Sequence, residues 1–163
     1  MRITFIPSTR DAKMLRLITV LTFLIPSALT AAASPYGLWL TQKKGVIVDV
    51  YACGDALCGR TVWLKKMKFK DGRDRLDRKN PVEALRTRHW CGIEVISGVK
   101  PVSSSEWEGG DIYDPKTGKT FNFDMEQRGD QMKVRGYLGV KMLGKSETWT
   151  RTSAGGRNLC SGS

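Results

Sequence analysis

The sequence predicts an all-β protein, folded as a small antiparallel barrel or sandwich. Short runs rich in β-branched and aromatic residues alternate between apolar and polar positions, which is the period of a strand. These runs recur at roughly the 8–12-residue spacing of a meandering sheet, and glycine-containing turns separate them. Helical periodicity is scarce, and the length of 163 residues suits one domain.

Six runs after residue 45 predict strands. They are residues 46–51, 57–64, 93–97, 121–125, 132–134 and 145–152. In the first run Val46, Val48 and Val50 share one face, which leaves Tyr51 on the other. Residues 43–45, 114–118 and 128–130 predict turns between strands, because each contains glycine and the second also has proline at the favoured position.

One segment interrupts this pattern. Residues 65–88 are rich in Lys, Arg and Asp and nearly free of β-branched residues, which predicts a long charged loop. Within it, residues 81–86 predict a helical turn, with Asn80 as N-cap and Pro81 as the first helical residue. Long loops of this kind are often functional, and a solvated connection is the alternative interpretation.

The N-terminal third has the features of an export signal. Basic residues precede the apolar run 17–29, and the small residues 31–33 follow it. This order predicts a signal peptide over residues 1–33, cut after Ala33, and a periplasmic or secreted location. An uncleaved anchor helix and a start at Met14 are the alternatives. The mature chain, 34–163, would have 130 residues and a net charge of +8.

All four cysteines lie in the predicted mature part. Export makes disulfides their expected state. Cys53 and Cys58 have four residues between them, whereas zinc and thioredoxin motifs have two. The flanking runs predict a hairpin that places these two cysteines opposite each other, at a separation a disulfide can bridge. Cys91 and Cys160 then remain as a second pair, and two free thiols are the alternative.

Several short segments occur together in an order typical of one family. They are GLWL at 37–40, CGDALCG at 53–59, DRKNP at 77–81, CGI at 91–93, WEGGDIYDP at 107–115, KVRGYLG at 133–139 and WTR at 149–151. In this order the chain resembles the DUF2147 family of exported bacterial proteins. The resemblance implies a lipocalin-like antiparallel barrel, here of about eight strands, over residues 34–152, followed by a tail, 153–163.

The resemblance also implies how the barrel closes. In lipocalin-like barrels, a Gly-x-Trp on the first strand packs near an arginine on the last strand. Gly37, Trp39 and Arg151 stand at matching ends of this chain. We expect the guanidinium to stack on the indole, an interaction that contributes about 0.5–2 kcal/mol.

Aromatic residues in the strands are the candidate ligand contacts. A barrel of eight strands has room for packed side chains or for one small ligand. The predicted lining residues are Tyr51, Trp63, Tyr113, Phe123 and Tyr137. They favour non-catalytic binding of a small apolar or amphipathic molecule, and core packing is the alternative interpretation for most of them.

The sequence offers no complete catalytic or cofactor motif. His89 has no identifiable nucleophile partner, and Ser103–Ser105 lack the context of a nucleophile elbow. Asp71, Asp74 and Asp77 alternate with basic residues, which favours mutual neutralisation over paired-acid catalysis. No P-loop, dinucleotide fingerprint or EF-hand pattern is present, so we expect no enzyme activity, cofactor or metal.

The formal net charge of +11 suggests an anionic partner. Predicted export argues against nucleic acid and favours anionic lipid or lipopolysaccharide of the cell envelope, bound through residues 65–88. Solubility alone is the alternative explanation of the charge. We expect a monomer.

Overall fold

The computed structural model describes residues 34–160, and these form a closed barrel of eight antiparallel strands. The strands are β1 (Gly37–Leu40), β2 (Val46–Cys53), β3 (Ala56–Leu64), β4 (Glu94–Pro101), β5 (Glu106–Asp114), β6 (Lys119–Arg128), β7 (Gln131–Tyr137) and β8 (Lys145–Arg151). Each strand pairs with the next along the chain, and β8 pairs back with β1. The predicted all-β barrel is therefore confirmed.

Part of the predicted organisation lies outside the described residues. This applies to the signal peptide 1–33, its cut after Ala33 and the alternative start at Met14. It also applies to the last three residues of the predicted tail, 161–163.

Strand β5 has no counterpart among the six predicted runs. Its centre contains Gly109 and Gly110, and charged residues flank this pair, so the period of a strand is hidden. The register shifts between Trp107 and Gly110, and Gly109 has a φ of 72°, which favours glycine. A Cβ atom at Gly110 would collide with Val99 of β4. Glycine is thus required at position 110, where β5 packs against Val99 of β4.

The barrel interior is the hydrophobic core. Large side chains from all eight strands meet there, including Trp39, Val50, Leu57, Ile96, Trp107, Phe123, Met125, Met132, Val134 and Trp149. On β2, Val48 and Val50 are buried in this core, as the alternation in the sequence predicts. Burial of so much apolar surface is the main driving force for closing the sheet.

A single arginine connects the two strands that close the barrel. The guanidinium of Arg151 on β8 lies 4.3 Å from the centre of the Trp39 ring on β1. It also donates to the carbonyl of Tyr36 at 2.9 Å, and the Trp39 indole donates to the carbonyl of Pro35 at 2.8 Å. Only two residue pairs join β1 to β8, so these contacts supplement a short ladder.

Two disulfides join the four cysteines. Cys53 and Cys58 are bonded across the β2–β3 hairpin, with Cα atoms 5.8 Å apart. They are not directly opposite each other as predicted, because the loop has only two residues: Ala56 is opposite Cys53, and Tyr51 is opposite Cys58. Cys91, which lies just before β4, is bonded to Cys160 in the C-terminal tail. In the tail, the Cys160 amide also donates a hydrogen bond to the carbonyl of Val62 at 2.7 Å. The second disulfide therefore fixes the tail against β3.

The long charged segment is a structured part of the fold. This β3–β4 connection, residues 65–93, contains isolated bridges between Lys68 and Asp74 and between Leu76 and His89. Its helical turn is a 3₁₀ turn at Glu83–Leu85 with Val82 as N-cap, so the prediction of Asn80 as N-cap and Pro81 as the first helical residue was wrong. The side chain of Asn80 instead accepts a hydrogen bond from the Val82 amide at 2.8 Å, in the turn before the helix. Within residues 34–160, no helix is long and apolar enough to cross a bilayer.

The contacts of Arg151 generate a stability prediction. We expect Arg151→Lys to lower the free energy of unfolding by about 1–2 kcal/mol, because lysine loses the planar stacking on Trp39 and part of the carbonyl hydrogen bonding. Urea denaturation measures this. Arg128→Lys is the matched control, since that side chain is 84% exposed and pairs only with Glu126; we expect a change of less than about 0.5 kcal/mol. Equal losses in both variants would contradict the role of Arg151.

Candidate functional site

The structure does not bring the five predicted lining residues together. Phe123 is buried in the barrel interior beside Trp149, with ring centroids 6.2 Å apart. Tyr51 follows the buried Val50 on β2, so its side chain lies on the outer face. There its ring contacts the guanidinium of Arg60 at 4.3 Å.

The other three aromatic residues occupy separate positions on the barrel wall. Trp63 lies next to the C-terminal tail, with the Arg157 guanidinium 5.3 Å from its ring. Tyr137 pairs with the exposed Asn122, which places it on the outer face of β7. Tyr113 lies against the β3–β4 connection. The five residues therefore do not outline one pocket.

The interior of the barrel is filled with side chains. Trp39, Trp107, Phe123, Met132 and Trp149 each expose 6% or less of their surface. This is the packed arrangement that eight strands accommodate. Two open cavities of the described residues lie on the outer surface of the barrel. A ligand site on the wall is consequently better supported than one along the barrel axis.

The first of these cavities is an open cleft of about 240 Å³ between the β3–β4 connection and the wall formed by β4, β5 and β6. Its lining residues are Asn80, Pro81, Arg88, Glu94, Val95, Ser97, Asp111, Tyr113 and Thr120. One cation, two carboxylates, an amide and three hydroxyls thus surround a small apolar surface. Tyr113 is the predicted lining residue that the cleft includes.

A buried carboxylate lies beside the cleft. Asp77 is completely buried, and Tyr113 donates its hydroxyl to Asp77 Oδ1 at 2.5 Å. Asn80 Nδ2 and Arg88 Nε donate to Asp77 Oδ2 at 2.8 and 3.0 Å. A buried charge of this kind is tolerated only when its partners satisfy it. The network therefore fixes the orientation of three residues that line the cleft.

The surroundings of the Tyr113 phenol raise its pKa. Burial, followed by the hydrogen bond to the Asp77 carboxylate, raises the pKa of Tyr113 to about 12. Tyr113 is consequently a neutral hydrogen-bond donor at physiological pH. The cleft can orient a small molecule through fixed donors and acceptors, and its phenol is not available as a base.

The acidic residues considered for catalysis or calcium are directed towards separate cations. Asp71 pairs with Arg73 at 2.7 Å, and the hydrogen bonds from Arg73 lower the pKa of Asp71. Asp74 lies 3.7 Å from Lys68, whereas Asp77 belongs to the buried network. Among residues 34–160, no group of three or more His, Cys, Asp or Glu side chains is arranged to hold a metal ion.

The comparison with known proteins agrees with the architecture. A family model described as "Uncharacterized protein conserved in bacteria (DUF2147)" matches residues 37–151. The chain belongs to the DUF2147 family. A solved structure with a TM-score of 0.68 is described as protein HP1028 from the human pathogen Helicobacter pylori, which belongs to the lipocalin family. That structure is 22% identical, and the match covers 79% of this chain and 92% of that one. The search of curated proteins found no match.

The lipocalin-like fold of this DUF2147 protein is thus established, while its site residues were largely missed from sequence. Asp77 and Asn80 belong to the DRKNP segment at 77–81, where the sequence predicts a neutralised acid and a helix N-cap but no ligand site. The proline after Asn80 was a usable signal, because it marks a defined turn. The pairing of Asp77 with Tyr113, 36 positions away, had no local signal.

The buried network generates a second stability prediction. Tyr113→Phe removes one donor from the Asp77 carboxylate, so we expect the free energy of unfolding at pH 7 to fall by about 1–3 kcal/mol. Tyr36→Phe is the matched control, because Tyr36 is 49% exposed, and it should change the value by less than about 0.5 kcal/mol. An unchanged stability in Tyr113→Phe would contradict the role assigned to this hydrogen bond.

The same phenol predicts a pH dependence. The pKa of Tyr113 is about 12 in the folded protein, above the ordinary tyrosine value of 10.0. The protonated phenol therefore contributes its full stabilisation below pH 10, and this contribution is lost as the pH rises towards 12. The stability difference between wild type and Tyr113→Phe should shrink over this range, as followed by denaturant titration. A constant difference would show that the phenol does not titrate in this way.

Proposed function

We propose that this DUF2147 protein is an exported, non-catalytic binder of a small amphipathic molecule, and that the ligand occupies the cleft beside Asp77, Asn80 and Tyr113. The observation that carries the proposal is the combination of a filled barrel interior with a preorganised cleft on its wall. A lipocalin-like fold supports small-ligand binding in general, although fold alone does not identify a ligand.

The lining of the cleft supports an amphipathic ligand. Arg88 supplies a donor, and Glu94 and Asp111 supply acceptors. Val95 and Pro81 add apolar surface. Ligand sites commonly combine apolar contacts with a few placed polar groups. The volume of about 240 Å³ favours a molecule at the small end of the usual range.

Two further features support the location and the absence of catalysis. The protein has two disulfides, and disulfides persist in oxidising compartments. They therefore support a periplasmic or secreted location. The cleft combines hydrogen-bonding groups without an activated nucleophile and base in contact, so binding is better supported than turnover. The expectation of a monomer stays a prediction.

Native mass spectrometry of protein purified from its own envelope tests the proposal. We expect a bound small molecule to appear as a defined mass increment. Thr120→Trp should reduce its occupancy at least about tenfold, because Thr120 is an exposed strand residue that lines the cleft, and tryptophan suits such positions.

Thr150→Trp is the matched control for this experiment. Thr150 is also an exposed strand threonine, but it lies on β8, away from the cleft lining. It should leave occupancy unchanged. A ligand retained equally in both variants would exclude the cleft as its site, and protein that carries no ligand would argue against the binding function itself.

A further inference from the structure

The topology of the barrel separates charge between its two ends. In a meander, alternate connections open at the same end, so residues 41–45, 65–93, 115–118 and 138–144 share one end. These four connections contain fourteen Lys and Arg against four Asp and Glu, a formal charge of +10. The connections at the opposite end, 54–55, 102–105 and 129–130, contain two Asp and neither Lys nor Arg. We call the first set the basic rim.

Most cations of the basic rim are free to meet an external anion. Four of the fourteen form ion pairs, and two more arginines are engaged in stacking on aromatic rings or in a backbone hydrogen bond. The remaining eight are exposed and have no carboxylate within 4.0 Å among residues 34–160: Lys43, Lys44, Lys65, Lys66, Lys70, Arg78, Lys79 and Lys116. Their charge is therefore available for an anionic partner.

Exposed apolar side chains lie on the same rim. Of the ten large hydrophobic residues exposed in the described part of the chain, seven belong to it: Met67, Val82, Leu85, Leu138, Val140, Met142 and Leu143. Met142 and Leu143 are 85% and 82% exposed. Lysines and arginines alone would suit any polyanion, whereas cations interspersed with exposed apolar side chains are typical of a surface that enters the headgroup region of a bilayer.

The exposed apolar residues are displayed on an ordered segment. Lys141 lies 2.9 Å from the buried Asp124 and 2.5 Å from Glu108 on the barrel wall. Arg135 of β7 donates to the carbonyls of Lys141 and Met142 at 2.7 and 2.9 Å. The backbone beneath Met142 is thus held by the wall while the side chain projects outward. Little ordering cost remains for contact with a surface.

The β3–β4 connection, which carries most cations of the basic rim, is also held in place by contacts of its own side chains. Arg75 lies between two aromatic rings, 4.7 Å from Phe69 and 5.1 Å from Trp90, and the buried Asp77 anchors the residues that follow. The carbonyl of Lys79 lies where a side chain on Gly118 of the β5–β6 turn would collide with it. Two connections of the rim are therefore in direct contact.

From these observations we infer that the basic rim docks the protein onto the surface of an anionic phospholipid bilayer, with Met142 and Leu143 entering the headgroup layer. The opposite end of the barrel, which has no Lys or Arg in its connections, would then face away from the lipid. This activity goes beyond ligand binding in the cleft and does not depend on it. Each cation near such a surface contributes about fivefold in affinity, and salt weakens the attraction.

Vesicle sedimentation tests this inference. The sample is the protein as purified from the cells that produce it. The vesicles are phosphatidylethanolamine with about one-third phosphatidylglycerol, and pure phosphatidylcholine vesicles serve as the neutral comparison. We expect binding to the anionic vesicles only, and we expect it to fall as salt rises. The triple variant Lys65→Gln, Lys66→Gln, Lys70→Gln should bind about a hundredfold more weakly.

A second triple variant controls for net charge. Lys100→Gln, Arg128→Gln and Lys133→Gln lower the net charge by the same three units, but these exposed residues lie on strands outside the rim. This variant should bind within about threefold of wild type. Equal losses in the two triple variants would overturn the inference, because they would show that net charge and not the rim determines binding. Binding by the first variant at the wild-type level would also overturn it.

The apolar part of the rim is tested separately. Met142→Ser with Leu143→Ser should weaken vesicle binding about tenfold while leaving its salt dependence unchanged. Val102→Ser is the control, since Val102 is 57% exposed at the opposite end, and it should have no effect. Purified lipopolysaccharide and duplex DNA complete the series. Binding to either of these without binding to the phosphatidylglycerol vesicles would overturn the assignment of a phospholipid surface.

Discussion

The fully buried carboxylate of Asp77 is the constraint on which the arrangement outside the barrel depends. Removing a charge from water is costly unless partners compensate it. Here the compensating donors come from two places, Tyr113 on β5 and Asn80 and Arg88 within the β3–β4 connection. The carboxylate can be satisfied only when that connection lies against the wall. The same contact forms the cleft and orders part of the basic rim.

The interior and the exterior of this barrel have different roles. Aromatic and methionine side chains fill the space inside, and their burial stabilises a small closed sheet. The two cavities described above lie on the outer surface. Groups that could recognise other molecules therefore lie on the wall and at one rim. The fold supplies a rigid support, and the connections supply the chemistry, as is common when loops extend from a stable scaffold.

Much of the fold was predictable because its signals are local. Alternation in residues 46–51 predicted β2, and glycine and proline at 114–118 predicted the turn between β5 and β6. Strand β5 was missed because Gly109 and Gly110 interrupt the alternation of its side chains at a bulge. The requirement for glycine there comes from Val99 on the neighbouring strand β4. The candidate site was predicted poorly, because Tyr113 alone of the five predicted aromatic residues lines the cleft. Alternation along a strand identifies its two faces but does not reveal what covers each face.

By itself, the sequence determined the strand period, the positions of most turns and the all-β class, because these follow from side-chain and backbone preferences over a few residues. It also predicted a hairpin between Cys53 and Cys58, although the register places Ala56 opposite Cys53 and Tyr51 opposite Cys58. Only the tertiary structure decided that the interior is filled, that Asp77 meets Tyr113, and that four basic connections open at one end. These depend on closure of the sheet, which relates residues far apart in the chain and therefore leaves no local pattern in the sequence.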